Sequence, residues 1–335
     1  MPLAATSLVQ TYKSWANGYK KLVKTGYKKG PDYRQGIFSM MPTENWEDRI
    51  VEMGTTDGFS AWVAGDRASQ TDILEGYAKR FTQMRFGKEV AIGTLAEKFQ
   101  GADVRLTKSA SMGLGKNAYL LQQKAAFSWL NYGFSDTNTF LTGVKGSTVS
   151  GLGPDGKRLF STLHPCSPHL ATTWSNVLSD NAAVGEDALK SMIENLHNQL
   201  DDRGEMKQYG QGGYIWLVSL QDFPEAKRIV GSELRSGVSD NDMNVYKGSF
   251  DSRPIEVRWI PWLNVSTTAH FMVAKDALED ENLLVLESQP FYIDDYMDNT
   301  TDTGYVRGRT VFETGFVSGR GIVGSQGTGT GTYSA

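Results

Sequence analysis

Three side chains able to bind a metal or act as a nucleophile fall within six residues: His164, Cys166 and His169. They lie in the segment Leu159–Asn176, LFSTLHPCSPHLATTWSN, which holds the only cysteine and two of the four histidines. Zinc is usually held by four ligands arranged as two close pairs. No second cysteine exists, and His197 and His270 fall in unrelated predicted elements. No carboxylate occurs within residues 159–179 to serve a metal-bound water. A cysteine nucleophile needs a histidine base beside it in space, which spacing alone does not select. Pro165 and Pro168 restrict the backbone, so the plainer reading is a braced polar connection with no metal and no catalytic role. A metal-dependent hydrolase using His164, Cys166 and His169 stands as the alternative.

Other chemistry-bearing patterns are weaker. The pairs Asp201-Asp202 and Asp294-Asp295 could act as acid–base or metal-binding carboxylates. The first is expected at a helix end and the second in a polar turn, both solvated. GxGxxG occurs at Gly151–Gly156 and Gly319–Gly324. A dinucleotide site needs that motif between a strand and a helix N-terminus, and neither copy has this setting. Gly113-Leu114-Gly115-Lys116 lies inside a helical pattern, not a phosphate loop. No cofactor is expected.

The elements that position these residues follow from periodicity. Leu8, Tyr12, Trp15, Tyr19 and Leu22 mark an amphipathic helix with lysines on its other faces. Residues 53–99 show little helical period. Arg80–Phe86 and Val90–Ile92 read as strands with a bend at Gly87-Lys88, a ribbon that is marginal without something covering it. A long helix is predicted from about Leu106 to Tyr132, with close packing or a bend at Gly113 and Gly115. A Gly- and Thr-rich linker, Asp136–Gly156, follows it. Leu189, Met192, Ile193, Leu196 and Leu200 form the buried face of a helix over about 186–203, with Gly204 placed to end it. Strands are predicted at 214–218, 255–260, 269–274, 283–286 and 305–317, and a helix at 221–234. This order indicates α+β.

At 335 residues, 39% of them apolar, the chain can bury a core without disulfides. No run approaches the ~18 apolar residues of a membrane span, and the N-terminus lacks a secretory core, so neither membrane insertion nor export is expected. Residues 1–31 carry six lysines and no acidic residue; with a net charge of −4, the remainder carries −10. An acidic body speaks against sequence-specific DNA binding, although a basic arm leaves a nucleic-acid-binding module as a further alternative.

Leu159-Phe160-Ser161-Thr162-Leu163-His164-Pro165, then Thr173-Trp174-Ser175-Asn176 and Asp187-Ala188-Leu189, resemble the major capsid (head) proteins of tailed bacteriophages, nearest to the Mu-like type. Leu200–Glu205, Ile215–Val218 and Phe223–Arg228 continue the pattern. The resemblance implies the tailed-phage capsid fold. It divides the chain into an N-terminal arm (1–48), an extended loop (49–104), a peripheral domain with a spine helix (105–210), an axial domain (211–285), and returning peripheral strands with a flexible tail (286–335). It implies self-assembly as pentamers and hexamers around double-stranded DNA held non-specifically, in a virion assembled in the host cytoplasm. Scaffold, portal or decoration proteins are the further partners it suggests. Subunit-interface residues are expected at Trp15, Lys20, Arg80, Arg85, Lys88, Glu89 and Glu97. A nanocompartment shell of the same fold is the alternative within the structural class.

Overall fold

The computed structural model describes residues 16–27, 30–52, 54–55, 75–93, 102–178, 182–233, 243–263, 268–298, 300–301 and 303–327. In chain order its first elements are helix α1 (16–27) and strands β1 (Ser39–Pro42), β2 (Glu47–Val51), β3 (Ala78–Thr82) and β4 (Met84–Gly93). Helices α2 (Ala102–Asn131) and α3 (Thr139–Lys145), strands β5 (His164–Ser167) and β6 (Leu170–Trp174), and helix α4 (Glu186–His197) follow. The rest is β7 (Tyr214–Val218), α5 (Phe223–Gly231), β8 (Ser249–Phe250), β9 (Arg253–Trp259), β10 (His270–Ala274), β11 (Leu283–Asp298), β12 (Thr303–Phe316) and β13 (Ile322–Ser325). Helices and mixed sheets give the expected α+β class. No described helix is long and apolar enough to cross a membrane.

Two sheets organise the chain. The five-stranded sheet runs β13-β10-β7-β9-β8, and β7 pairs antiparallel with β10 but parallel with β9. All five residues of β7 are buried because both sheet faces are covered. Alternation sorts its side chains into two cores. Ile215 and Leu217 join Phe127, Leu130, Phe160 and Phe271 under α2. Tyr214, Trp216 and Val218 meet Leu189, Met192 and Ile193 of α4 and Ile229 and Val230 of α5. The second sheet runs β1-β11-β12-β4, and its outer half is a three-stranded ribbon of β11, β12 and β4. One face of that ribbon is closed by Tyr19 and Val23 of α1 and Leu114 of α2, against Ile92 and Val306.

Helix α2 has 30 residues, about 45 Å at 1.5 Å per residue. Residues 125–130 are buried on every side, so its C-terminal half is a core helix and its first half a half-exposed spine. Helix α1 crosses it at Gly26 and Gly115. A Cβ on Gly26 would strike the Met112 carbonyl, and one on Gly115 the Val23 carbonyl. The close approach expected at Gly115 is present; Gly113 faces open space.

Several expectations need correction. The strand break falls at Gln83, not Gly87, because there the chain changes partner from β2 to β12. Within the expected ribbon, β2–β3 is a separate two-stranded sheet, whereas β4 completes the four-stranded sheet. The Asp136–Gly156 linker contains α3, whose Leu141 amide donates to the Asn138 side chain and whose C-cap Gly146 has φ 71°. Helix α4 stops at His197, not near 203: Asp201 accepts from the amides of Arg203 and Glu205, and Gly204, at φ 84°, serves that turn. Helix α5 ends at Gly231, three residues short of the expected end. Asp294 and Asp295 lie within strand β11, not in a turn. The segment around His164 is a hairpin, β5 with β6.

Candidate assembly surface

Strands β2 and β3 form a two-stranded sheet whose root is fixed to the body by unlike contacts. In β3 the inward side alternates Lys79 and Phe81, while Arg80 and Thr82 point outward. Phe81, 3% exposed, packs on Leu284, Leu286 and Val317. Its ring occupies the space a side chain at Gly315 would need. Lys79 Nζ lies 4.5 Å from the ring centre of Phe316, 5.0 Å from Trp129 and 5.7 Å from Phe81, and donates to the Leu152 carbonyl at 3.3 Å. Burial lowers the Lys79 pKa to about 8. Lys145 and Glu313 form a buried ion pair at 2.5 Å. Burial raises the Glu313 pKa, with Lys145 opposing it.

The other side of the root is ionic. Glu52 pairs with Arg320, which also donates to the carbonyls of Leu200 (2.8 Å) and Cys166 (2.6 Å) and lies 5.4 Å from the Trp174 ring centre. Thr55 donates its amide to Asp202 at 2.9 Å and its hydroxyl to Asp201 at 2.9 Å and to Asp202. Arg203 Nε donates to the Thr55 carbonyl at 3.2 Å. Asp201 and Asp202 are therefore buried anchors, not the solvated pair expected from sequence. Burial opposes the charge on Asp202, but the Thr55 hydrogen bonds and Arg320 outweigh it and hold its pKa below the usual range. None of Glu52, Lys79, Glu313 or Arg320 was singled out from sequence. The one signal was Lys79 sharing Phe81's side of a strand, a lysine where an apolar residue belongs.

The expected interface residues divide into groups. Arg80, Arg85, Lys88 and Glu89 are exposed on β3 and β4. Arg80 faces Glu47 at 3.6 Å, an exposed pair that contributes little to stability and can exchange partners readily. Glu89 accepts from the Tyr296 hydroxyl at 2.8 Å. Lys20 instead pairs with Asp295 of the same chain, fastening α1 to β11. Trp15 and Glu97 lie outside the described residues.

At the cysteine–histidine segment, His164 Nδ1 lies 2.7 Å from Asp155 Oδ2 and its ring stacks on Trp174 at 4.7 Å. Asp155 lies just upstream of residues 159–179, which hold no carboxylate. Cys166 is buried, and burial pushes its thiol pKa up, away from nucleophilic reactivity. His169 is exposed at the hairpin turn. Among the described residues no three His, Cys, Asp or Glu side chains group to hold a metal.

No protein-family profile matches the sequence, and no curated protein matches it. Solved structures do resemble the fold. The capsid of the cyanophage P-SCSP1u matches with a TM-score of 0.53 and 8% identity, over 89% of this chain and 88% of that one. The mature capsid of bacteriophage PhiM1 matches at 0.52 and 12% identity, over 88% and 86%. The capsid of bacteriophage JBD30, decorated with minor capsid protein trimers, matches at 0.51 and 14% identity, over 70% and 92%. The fold of this chain is that of the tailed-phage major capsid proteins.

Proposed function

We propose that this chain is a structural subunit of a phage head, assembling as pentamers and hexamers into an icosahedral shell around double-stranded DNA. The observation that carries this reading is a fold shared with capsid subunits along nearly nine-tenths of the chain. The ribbon supports it: β2–β3 has only two strands and projects exposed Arg80 beside Glu47, contacts a neighbour can complete. In this reading residues 1–48 are the arm, 49–104 the extended loop, 105–210 the peripheral domain around α2, 211–285 the axial domain, and 286–335 the returning strands and tail. Arg80, Arg85, Lys88 and Glu89 meet the adjacent subunit. The arm lysines face DNA or a subunit boundary, and the acidic body holds DNA by confinement alone. The subunit resides in the virion after assembly in the host cytoplasm. Scaffold or decoration proteins are natural partners, as the JBD30 capsid carries minor capsid protein trimers.

Negative-stain microscopy with sizing of the expressed chain tests this. Pentamers, hexamers or closed shells are the expected result. A monodisperse monomer, with and without a phage scaffold protein, would overturn the assignment.

A further inference from the structure

Strand β4 ends the four-stranded sheet: one side of its ten residues pairs with β12, and the other has no strand beside it among the described residues. Arg85, Gly87, Lys88, Glu89 and Ala91 are exposed along it. Such an edge offers a row of backbone donors and acceptors to another strand. Its own chain does not require the glycine at its centre. Gly87 has no left-handed φ, and a Cβ there would lie 3.4 Å from the Gly308 carbonyl oxygen and 3.6 Å from Arg309 Cβ, which are ordinary contacts. A strand glycine with no local reason marks a place where another backbone comes close. Arg85 and Lys88 have no ion-pair partner among the described residues. Glu89 accepts from the Tyr296 hydroxyl through one carboxylate oxygen and has the other to offer.

We propose that β4 pairs antiparallel with β4 of a second copy of this chain, across a two-fold axis at Gly87, so that two four-stranded sheets become one. Such a pair sets one residue opposite itself. With Gly87 at the axis, Arg85 of each copy lies opposite Glu89 of the other, on the face that carries Tyr296. On the face towards α1 and α2, Phe86 meets Lys88, an aromatic ring beside an ammonium, and Met84 meets Val90. Every opposed pair is complementary. Registers centred on Arg85, Lys88 or Glu89 put like charges face to face, and one centred on Phe86 leaves Arg85 opposite Gly87. A strand pair this short is too small an interface to hold two free copies tightly. It gains strength where many such contacts repeat in a lattice. A closed shell of pentamers and hexamers has two-fold contacts between its rings, so the pairing gives Arg85, Lys88 and Glu89 a specific partner and in that respect rests on the shell reading.

Disulfide trapping in the full-length protein tests this; the native thiol, Cys166, is buried and does not compete. Opposed residues of an antiparallel pair lie about 4.5–5.5 Å apart at Cα, within disulfide reach. Gly87→Cys should therefore form covalent dimers on oxidation. Arg85→Cys alone and Glu89→Cys alone should not, because each is about 13 Å from its counterpart. Mixing the Arg85→Cys and Glu89→Cys chains should give the heterodimer, a result that does not depend on the Gly87→Cys chain folding. Adding Arg85→Glu to Gly87→Cys should slow trapping about tenfold, since it sets like charges opposite each other. Gly87→Cys dimers that form no faster than those of Arg85→Cys, with no heterodimer from the mixture, overturn the proposal. Shells seen by microscopy without this trapping overturn the pairing and leave the shell reading. Trapped dimers that never build shells overturn the shell reading and leave the pairing.

Discussion

On β10 the imidazole of His270 is fully enclosed, with Nδ1 3.2 Å from the Thr268 carbonyl and the ring edge-on to Trp216 at 6.0 Å. That carbonyl can only accept, so Nδ1 carries the proton of a neutral ring. Burial lowers the pKa to about 4. A depressed folded-state pKa gives stability that is present above the unfolded value near 6.5 and lost as pH falls towards 4, roughly 3 kcal/mol over that window. Denaturant unfolding across this range should show His270→Gln losing less stability on acidification than the native chain, by about that amount. Parallel curves would mean the histidine is not the group responsible. The sequence placed His270 at a strand start but gave no hint of this burden, because enclosure depends on which sheet face is covered. The same holds for Glu52 and Arg320: two ordinary surface-type residues 268 positions apart become partners only through the fold. His164 is the reverse case. Its type and neighbours suggested chemistry, and its surroundings show a histidine braced by Asp155 and Trp174.

Elements with one strong period were legible. Leu189, Met192, Ile193 and Leu196 of α4 and the unbroken apolar run of β7 form buried surfaces as read, while Leu200 of the expected stripe lies beyond the helix. Those held by a few specific contacts were not. Helix α3 buries only Leu141 fully and rests on the Asn138 cap, so a Gly- and Thr-rich stretch hid it. The outer half of β11 carries Asp294 and Asp295, which look like turn residues until Arg307 and Lys20 are placed opposite them. The two glycines of α2 also separate at this scale. Intrinsic helix propensity favours alanine over glycine by about 1 kcal/mol at either position. Gly113→Ala has open space and should raise stability by up to that amount. Gly115→Ala meets the Val23 carbonyl of α1, which cannot yield as a flexible side chain would, and should lower stability by about 1–3 kcal/mol. Thermal or denaturant unfolding of the two variants should move in opposite directions; shifts of the same sign would contradict the helix crossing.

For the whole molecule, the division between a self-sufficient body and an attached ribbon sets what can be removed. The Glu52 amide donates to the Tyr77 carbonyl at 2.8 Å, so the chain leaves and returns at adjacent points. Replacing residues 56–74 by a short Gly-Ser turn should leave unfolding of the body unchanged within about 1 kcal/mol and abolish shells seen by microscopy. Normal shells from that variant would remove the loop from assembly. A longer excision reaching β4 would be a different experiment, since β4 is a full partner of β12. The joint at Arg320 adds a constraint of timing. That single guanidinium gathers Glu52, Cys166, Leu200 and Trp174. During synthesis residue 52 emerges long before residue 320 is made, so Glu52 remains unpaired by Arg320 through most of translation. Strand β13 of the five-stranded sheet also lies beyond Arg320, so this joint and the body itself are completed together, at the end of synthesis.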